Sequence, residues 1–166
     1  EEGNLILYVA IADVGRYIDK GSCLDQEALE RGTSVYFSQR VIPMLPEVLS
    51  NDLCSLKPNE DRFCLVCKTT VDSEGNLSGT SFFEAIINSK SRLTYGTVTR
   101  EVERKQFKKP YDHSLKILIE IYNRLKSNRS QRGSLELDVP TFIPKVENQK
   151  ISKFVDSPRE ISHMMI

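Results

Sequence analysis

Apolar residues occur along this chain in strand-length runs that polar turns interrupt. The run Leu5–Ala12 is almost entirely apolar and contains Val and Ile, a pattern typical of a central strand covered on both faces. Arg62–Val71 and Leu77–Asn88 are longer runs with strand character. The five residues that join them, Asp72–Asn76, include Gly75, and a short glycine-containing connection is a strong hairpin signal. The pattern therefore predicts one early strand and a later long β-hairpin.

Two other segments have the pattern of helices. Leu24–Arg31 predicts a short helix, with Asp25 near its start and Gly32 directly after its end, as helix termini favour. Tyr111–Gln131 predicts a longer amphipathic helix that ends before Gly133. Its apolar residues recur at helical spacing: Leu115, Leu118, Ile119, Tyr122 and Leu125.

Shorter segments complete the predicted fold. Thr33–Phe37 is a short β-branched and aromatic stretch, and Glu47–Leu56 has the composition of a short helix or a few helical turns. Three more strands are expected around Leu135–Val139, Thr141–Val146 and Lys150–Val155. Together the elements predict an α+β domain with packed helices and a mostly antiparallel but incomplete sheet.

Both ends of the chain look cut, so we expect residues 1–166 to form a partial domain. Glu1–Asn4 resembles a hairpin tip that feeds the strand Leu5–Ala12 with no strand before it. Ser157–Glu160 has the composition of a helix start, with Ser as N-cap and Pro in the first turn, but that helix would stop at Ile166. Because an unpaired strand and a short apolar helix leave apolar surface uncovered, we expect self-association through these ends.

Composition and charge place limits on function. The chain is 39% hydrophobic and 28% charged, as in ordinary soluble domains, and its formal net charge is zero. Since phosphate neutralisation supplies most non-specific affinity for nucleic acid, such a chain would handle nucleic acid only through a local site. No apolar run approaches the ~20 residues that span a bilayer, and the acidic, polar first residues do not form a secretory signal. We expect no membrane association and a cytoplasmic location.

The cysteines allow a metal-site or redox-site hypothesis. Cys64 and Cys67 have the spacing of a zinc or redox half-site, but the second pair that a zinc knuckle needs is missing. They also lie in an apolar run typical of a buried strand, where Cys acts as a small hydrophobe. We favour the structural role, and stoichiometric zinc in the purified protein would overturn it. His113 and His163 have no partner at ligand or triad spacing and are expected to be structural.

Five strings, in order along the chain, indicate a family. They are Val9–Val14; Leu24–Asp25 with Ala28 and Arg31–Tyr36; Val41–Pro46; Leu49–Leu56; and Arg92–Tyr95. Together they resemble the catalytic (RNB) domain of ribonuclease R and ribonuclease II, and Ile161–Ile166 resembles the start of a helix in that family. The resemblance covers almost the whole chain.

This resemblance implies a 3′-to-5′ exoribonuclease that degrades single-stranded RNA processively to nucleoside 5′-monophosphates by Mg²⁺-dependent hydrolysis, with no DNA substrate expected. The family's metal ligands are aspartates in a D-x-D-D-like motif just before the strand that opens this chain, and these 166 residues do not contain that motif. We therefore expect the 166 residues alone to hold no metal and to be inactive. The alternative is a non-catalytic RNA-binding or scaffold module.

The resemblance also assigns site residues. Tyr36 matches the family's tyrosine that stacks on a nucleotide at the buried 3′ end, and stacking suits a strand of any sequence because every base has a π-face. The alternative is a half-buried strand aromatic. Arg31, Ser34 and Arg40 flank Tyr36 and are candidates for contacts with phosphate or ribose. The alternative is that they are solvated surface residues without a ligand.

Two further features have weaker functional signals. Asp13, at the end of the first strand, is a weak candidate for a catalytic ligand, and we favour a turn or N-cap role. The basic segment Arg100–Lys109 is interrupted by Glu101 and Glu103, and this mixed sign indicates a solvated segment more than an RNA track.

Overall fold

The computed structural model describes residues 3–37, 40–135, 139, 141–148, 150–156 and 163. In these ranges the strands are β1 (Leu5–Ala12), β2 (Val35–Tyr36), β3 (Val41–Ile42), β4 (Asp61–Val71), β5 (Leu77–Asn88), β6 (Phe142–Glu147) and β7 (Lys150–Asp156). The helices are α1 (Cys23–Arg31), α2 (Tyr95–Arg104) and α3 (Asp112–Gln131), with a 3₁₀ turn at Val14–Arg16 and a π-helical segment at Val48–Leu53. The described strands form a sheet of order β1-β4-β5 and two antiparallel ribbons, β2-β3 and β6-β7. The predicted α+β class is confirmed.

Most of the predicted elements are present close to their expected bounds. Helix α1 begins after Ser22, whose hydroxyl accepts a hydrogen bond from the Asp25 N–H, and it ends at Gly32 with φ +69°. The long hairpin β4-β5 and helix α3 are also confirmed. The expected environment of β1 was wrong: in the described sheet β1 lies at the edge and β4 in the centre. Apolar side chains of β1 are exposed, including Tyr8 at 57% and Ile11 at 58%.

The described contacts divide the chain into two compact units, each with a small core. The first takes the residues up to Val9, Cys67–Ser81 and the residues from Leu93 onward; the second takes Ala10–Val66 and Phe82–Arg92. The buried side chains of the first are Thr69, Val71, Val98, Glu101, Leu115 and Ile121, and those of the second are Leu49, Cys64 and Val66. Within the ranges described, no helix is long and apolar enough to cross a membrane.

In the first unit, helix α3 packs closely against the turn of the β4-β5 hairpin. Gly75 has φ +81°, and a Cβ atom there would lie 2.3 Å from the carbonyl oxygen of Arg124, so glycine is required. The Arg124 guanidinium donates to the carbonyl oxygens of Gly3 and Asp72 at 2.8 and 3.0 Å. The Asn128 amide donates to the Asn76 side chain at 3.0 Å. These contacts fix the turn on the helix.

The end of the chain is described only in part. The ribbon β6-β7 is close to the strands expected there. The strand expected around Leu135–Val139 and the helix expected from Ser157 fall mainly on residues outside the described ranges. His163 is described, and its ring stacks on Tyr95 with centroids 4.1 Å apart.

Candidate functional site

The β2-β3 ribbon of the second unit holds Tyr36, and Ser34 and Arg40, also predicted to contact RNA, directly adjoin its strands. Val35 pairs with Ile42 and Tyr36 with Val41. The N–H of Phe37 donates to the carbonyl oxygen of Arg40 at 2.8 Å, so the ribbon continues one residue beyond each strand. β-branched residues favour this extended backbone. The ribbon fixes the backbone on either side of the Tyr36 ring.

Tyr36 is the most exposed aromatic side chain of the ribbon. It is 78% exposed, against 52% for Phe37. A ring packed in the core could not stack on a nucleotide, and the Tyr36 ring is accessible. The half-buried alternative does not match this exposure. The stacking role itself stays a prediction.

Arg40 lies beside the second exposed ring of the ribbon. Its guanidinium carbon is 5.3 Å from the centroid of the Phe37 ring, within the usual range of a cation–π contact. Among the described residues Arg40 has no acidic partner, so its guanidinium donors are not engaged in an ion pair. The sequence placed Arg40 near Tyr36, but the contact of Arg40 with the Phe37 ring depends on the pairing of β2 with β3 and was not predicted.

Arg31 and Ser34 are already hydrogen-bonded within the unit. Arg31 pairs with Glu27 at 2.8 Å and donates to the carbonyl oxygen of Pro43 at 3.2 Å, which ties the end of α1 to the segment after β3. The Ser34 hydroxyl oxygen accepts from the Met44 N–H at 2.9 Å. These bonds position the ribbon. The predicted contacts of both residues with phosphate or ribose remain predictions.

Asp13 lies in a separate recess of the second unit, with a volume of about 280 Å³. Its N–H donates to the carbonyl oxygen of Phe63 at 3.0 Å, but its carboxylate makes no cap hydrogen bond to the 3₁₀ turn. Arg16 lies over the Phe63 ring at 4.6 Å and 3.8 Å from a carboxylate oxygen of Glu84. The sequence did not predict this Arg16–Phe63–Glu84 arrangement.

The negative charge of Asp13 affects the pKa of two cysteine thiols in the same unit. Burial, and then the negative charge of Asp13, raise the pKa of both the Cys54 and the Cys64 thiols. A raised pKa disfavours the thiolate, which is the reactive and metal-binding form. Cys64 is 1% exposed and Cys67 follows it in β4. The expected strand position of the pair is confirmed.

No set of side chains in the described part of the chain fits an Mg²⁺ site. Among those residues there is no group of three or more His, Cys, Asp or Glu that could hold a metal ion. Asp13 and Glu84 both line the recess, but Arg16 ion-pairs with Glu84 there. We therefore assign no metal ligand among the residues that the structure describes.

The comparisons with known proteins agree on one family. The RNB domain profile matches residues 1–166. The chain is 44% identical over 170 residues to ribonuclease R of Vibrio cholerae and 44% identical over 170 residues to that of Escherichia coli, in each case with 99% of this chain and 21% of the relative covered. The solved structure of Mycoplasma genitalium RNase R in complex with ribose-methylated single-stranded RNA matches with a TM-score of 0.91 and 32% identity, over 96% of this chain and 26% of that one.

The α+β fold is thus that of a segment of ribonuclease R. The chain belongs to the RNB domain family. It spans about a fifth of the length of the curated relatives that it matches.

Proposed function

We propose that the full-length protein is a cytoplasmic 3′-to-5′ exoribonuclease that hydrolyses single-stranded RNA processively to nucleoside 5′-monophosphates. Residues 1–166 supply part of its catalytic domain, and Tyr36 stacks on a nucleotide at the 3′ end of the strand. The match of the RNB profile to the whole chain is the observation that carries the proposal. The exposure of Tyr36 on the β2-β3 ribbon supports the stacking role.

The side chains around Tyr36 have different roles in this proposal. Arg40 has donors available for a phosphate, whereas Arg31 and Ser34 act mainly through the bonds that hold the ribbon in place. A ring that stacks on a base contributes roughly 1–3 kcal/mol without reading the sequence. This arrangement suits an enzyme that must hold successive nucleotides of any identity.

We propose that the full-length protein depends on Mg²⁺, and the only support for this is its membership of the RNB family. The described residues offer no metal-binding cluster, and the sequence holds no D-x-D-D-like motif. We therefore propose that residues 1–166 by themselves do not hydrolyse RNA. The metal ligands belong to other parts of the full-length protein.

The experiment follows the release of nucleotides from a single-stranded RNA labelled at one end. With the full-length protein and Mg²⁺, a 3′ label should appear at once in mononucleotides, and a 5′ label should end in a short oligonucleotide. Chelation of the metal should stop the release of the 3′ label and the shortening of the 5′-labelled RNA. Residues 1–166 alone should release no nucleotide. Release of the 5′ label first, or of mononucleotides by residues 1–166, would contradict the proposal.

The same assay tests the alternative of a non-catalytic RNA-binding module. Such a protein would bind the labelled RNA in a mobility-shift measurement and release no nucleotide, with or without Mg²⁺. If the full-length protein binds RNA but never shortens it, the result would favour the non-catalytic RNA-binding module over the exoribonuclease.

A further inference from the structure

The connection between α2 and α3 in the first unit concentrates positive charge in a chain whose formal net charge is zero. Five exposed cations lie at this corner, which we call the α2–α3 cationic corner: Arg104, Lys105, Lys108, Lys109 and Lys116. Helix α2 ends at Arg104, and Lys116 lies in the second turn of α3. The Lys116 ammonium lies 5.6 Å from the centroid of the Phe107 ring, which joins the connection to the helix.

Burial of an acidic residue leaves the lysines of this corner with one fewer ion-pair partner at the surface than the sequence suggests. Glu101 is only 6% exposed, and its carboxylate accepts a hydrogen bond from the Tyr111 hydroxyl at 3.0 Å. Glu101 is thus turned into the unit and cannot pair with the lysines at the surface. Two acidic residues, Glu103 and Asp112, remain beside the five cations. The interpretation of this stretch as a segment of mixed sign depended on Glu101 being at the surface.

The cations of the corner have no acidic partners among the described residues. Other basic side chains of the chain are ion-paired: Lys57 with Asp52, Arg124 with Glu120, and Lys145 with Glu147. An ion-paired lysine contributes little net field, whereas several unpaired cations at one corner attract a polyanion. The charge is therefore available to a ligand.

We propose that the α2–α3 cationic corner is an RNA-binding surface that contacts the phosphates of a single strand. This RNA-binding role is separate from the nucleotide-stacking role proposed for Tyr36, and it does not depend on whether the protein hydrolyses RNA. Lysine ammonium groups bind phosphates as point charges, without base recognition. The corner would raise the affinity for RNA through the release of counterions, so its contribution should fall as salt rises.

The test measures the affinity of the full-length protein for a labelled single-stranded homopolymer RNA, in a metal chelator and at several salt concentrations. The variant Lys105→Gln/Lys108→Gln/Lys109→Gln should bind more weakly at low salt. The slope of log K against log salt should fall in magnitude by about 2, because each phosphate of a single strand that a lysine neutralises contributes about 0.7 to it. Lys→Arg changes at the same three positions should keep the parent slope.

A matched control removes three lysines that are already bonded to oxygen atoms. Lys57→Gln/Lys90→Gln/Lys145→Gln takes away the same formal charge and should leave the slope close to that of the parent. Equal slopes for the two triple Gln variants would overturn the proposal, because the effect would then come from net charge alone. So would binding of phosphatidylserine vesicles that needs the corner lysines while RNA binding does not. Because no step requires hydrolysis, a protein that fails the nuclease assay can still pass this one.

Discussion

Gly75 lies in the β4-β5 turn with φ +81°, and a Cβ atom added there would lie 2.3 Å from the backbone oxygen of Arg124 in α3. We expect Gly75→Ala to lower the free energy of unfolding by about 2 kcal/mol or more, since it adds left-handed strain and a clash with the Arg124 carbonyl oxygen. Denaturant unfolding measures the change. Gly133→Ala is the matched control, because Gly133 has φ +80° in the same unit with no atom within 4 Å of the added Cβ. Equal losses for the two variants would contradict the steric explanation.

At the level of single residues, the sequence could identify candidates but not their bonds. The family strings pointed to Tyr36, and its exposure agrees with an accessible ring. The i,i+4 pair of Arg31 with Glu27 is compatible with the predicted helix, but the bond from Arg31 to the carbonyl oxygen of Pro43 depends on how the segment after β3 lies and could not be predicted. The burial of the Glu101 side chain was also not predictable. Its hydrogen bond with Tyr111 forms only when the α2–α3 connection brings Tyr111 back to α2.

The turn of the β4-β5 hairpin is the element with the clearest expected pH response. The Asp72 carboxylate accepts hydrogen bonds from the Asn76 side chain and backbone and from the Glu74 N–H, and these bonds lower the pKa of Asp72 below its usual 3.8. A carboxylate whose pKa is lowered by folding stabilises the folded state above its unfolded pKa, and this contribution is lost as pH falls through the folded pKa.

We therefore expect Asp72→Asn to reduce the pH dependence of stability. Below pH 3.8 the parent should lose stability more steeply than the variant, because only the parent takes up a proton at this turn. Urea midpoints of both proteins between pH 6 and pH 2.5 give the comparison. A constant difference between the two midpoints over that range would show that the turn contributes no pH-dependent stability.

At the level of elements, long periodic segments were predictable and short or tertiary-dependent ones were not. Helix α3 and the β4-β5 hairpin follow from residue spacing. Helix α2 was missed because Gly96 and several β-branched residues weaken its helical pattern. Its local signal is Thr94, whose hydroxyl oxygen accepts from the Thr97 N–H as an N-cap. Strand β3 was missed because its two residues are too few to show the alternation of apolar and polar side chains that marks a strand.

At the scale of the whole molecule, several described strands expose large apolar side chains, and exposed apolar surface favours association. Phe82 is 70% exposed and Ile86 62% on β5, and β1 exposes Tyr8 and Ile11. We expect residues 1–166 alone to self-associate, with an average mass in sedimentation velocity that rises with concentration. Phe82→Lys should weaken association, because a charge on an edge strand opposes pairing.

Leu29→Lys is the control for that experiment. Leu29 is 81% exposed but lies on α1 and not on a sheet, so its replacement should leave association unchanged. A monomer of constant mass at all concentrations would contradict the expectation. The division into two compact units was also not predictable, since β1, β4 and β5 each contribute residues to both.

The most direct test of the account is the length of the final oligonucleotide left by the full-length enzyme. Tyr36→Ala should leave a longer end product while keeping much of the rate, because it removes the stacked ring and no metal ligand. Tyr36→Phe keeps the ring and should leave the parent product. An end product of unchanged length in the Tyr36→Ala variant would contradict the nucleotide-stacking role of Tyr36.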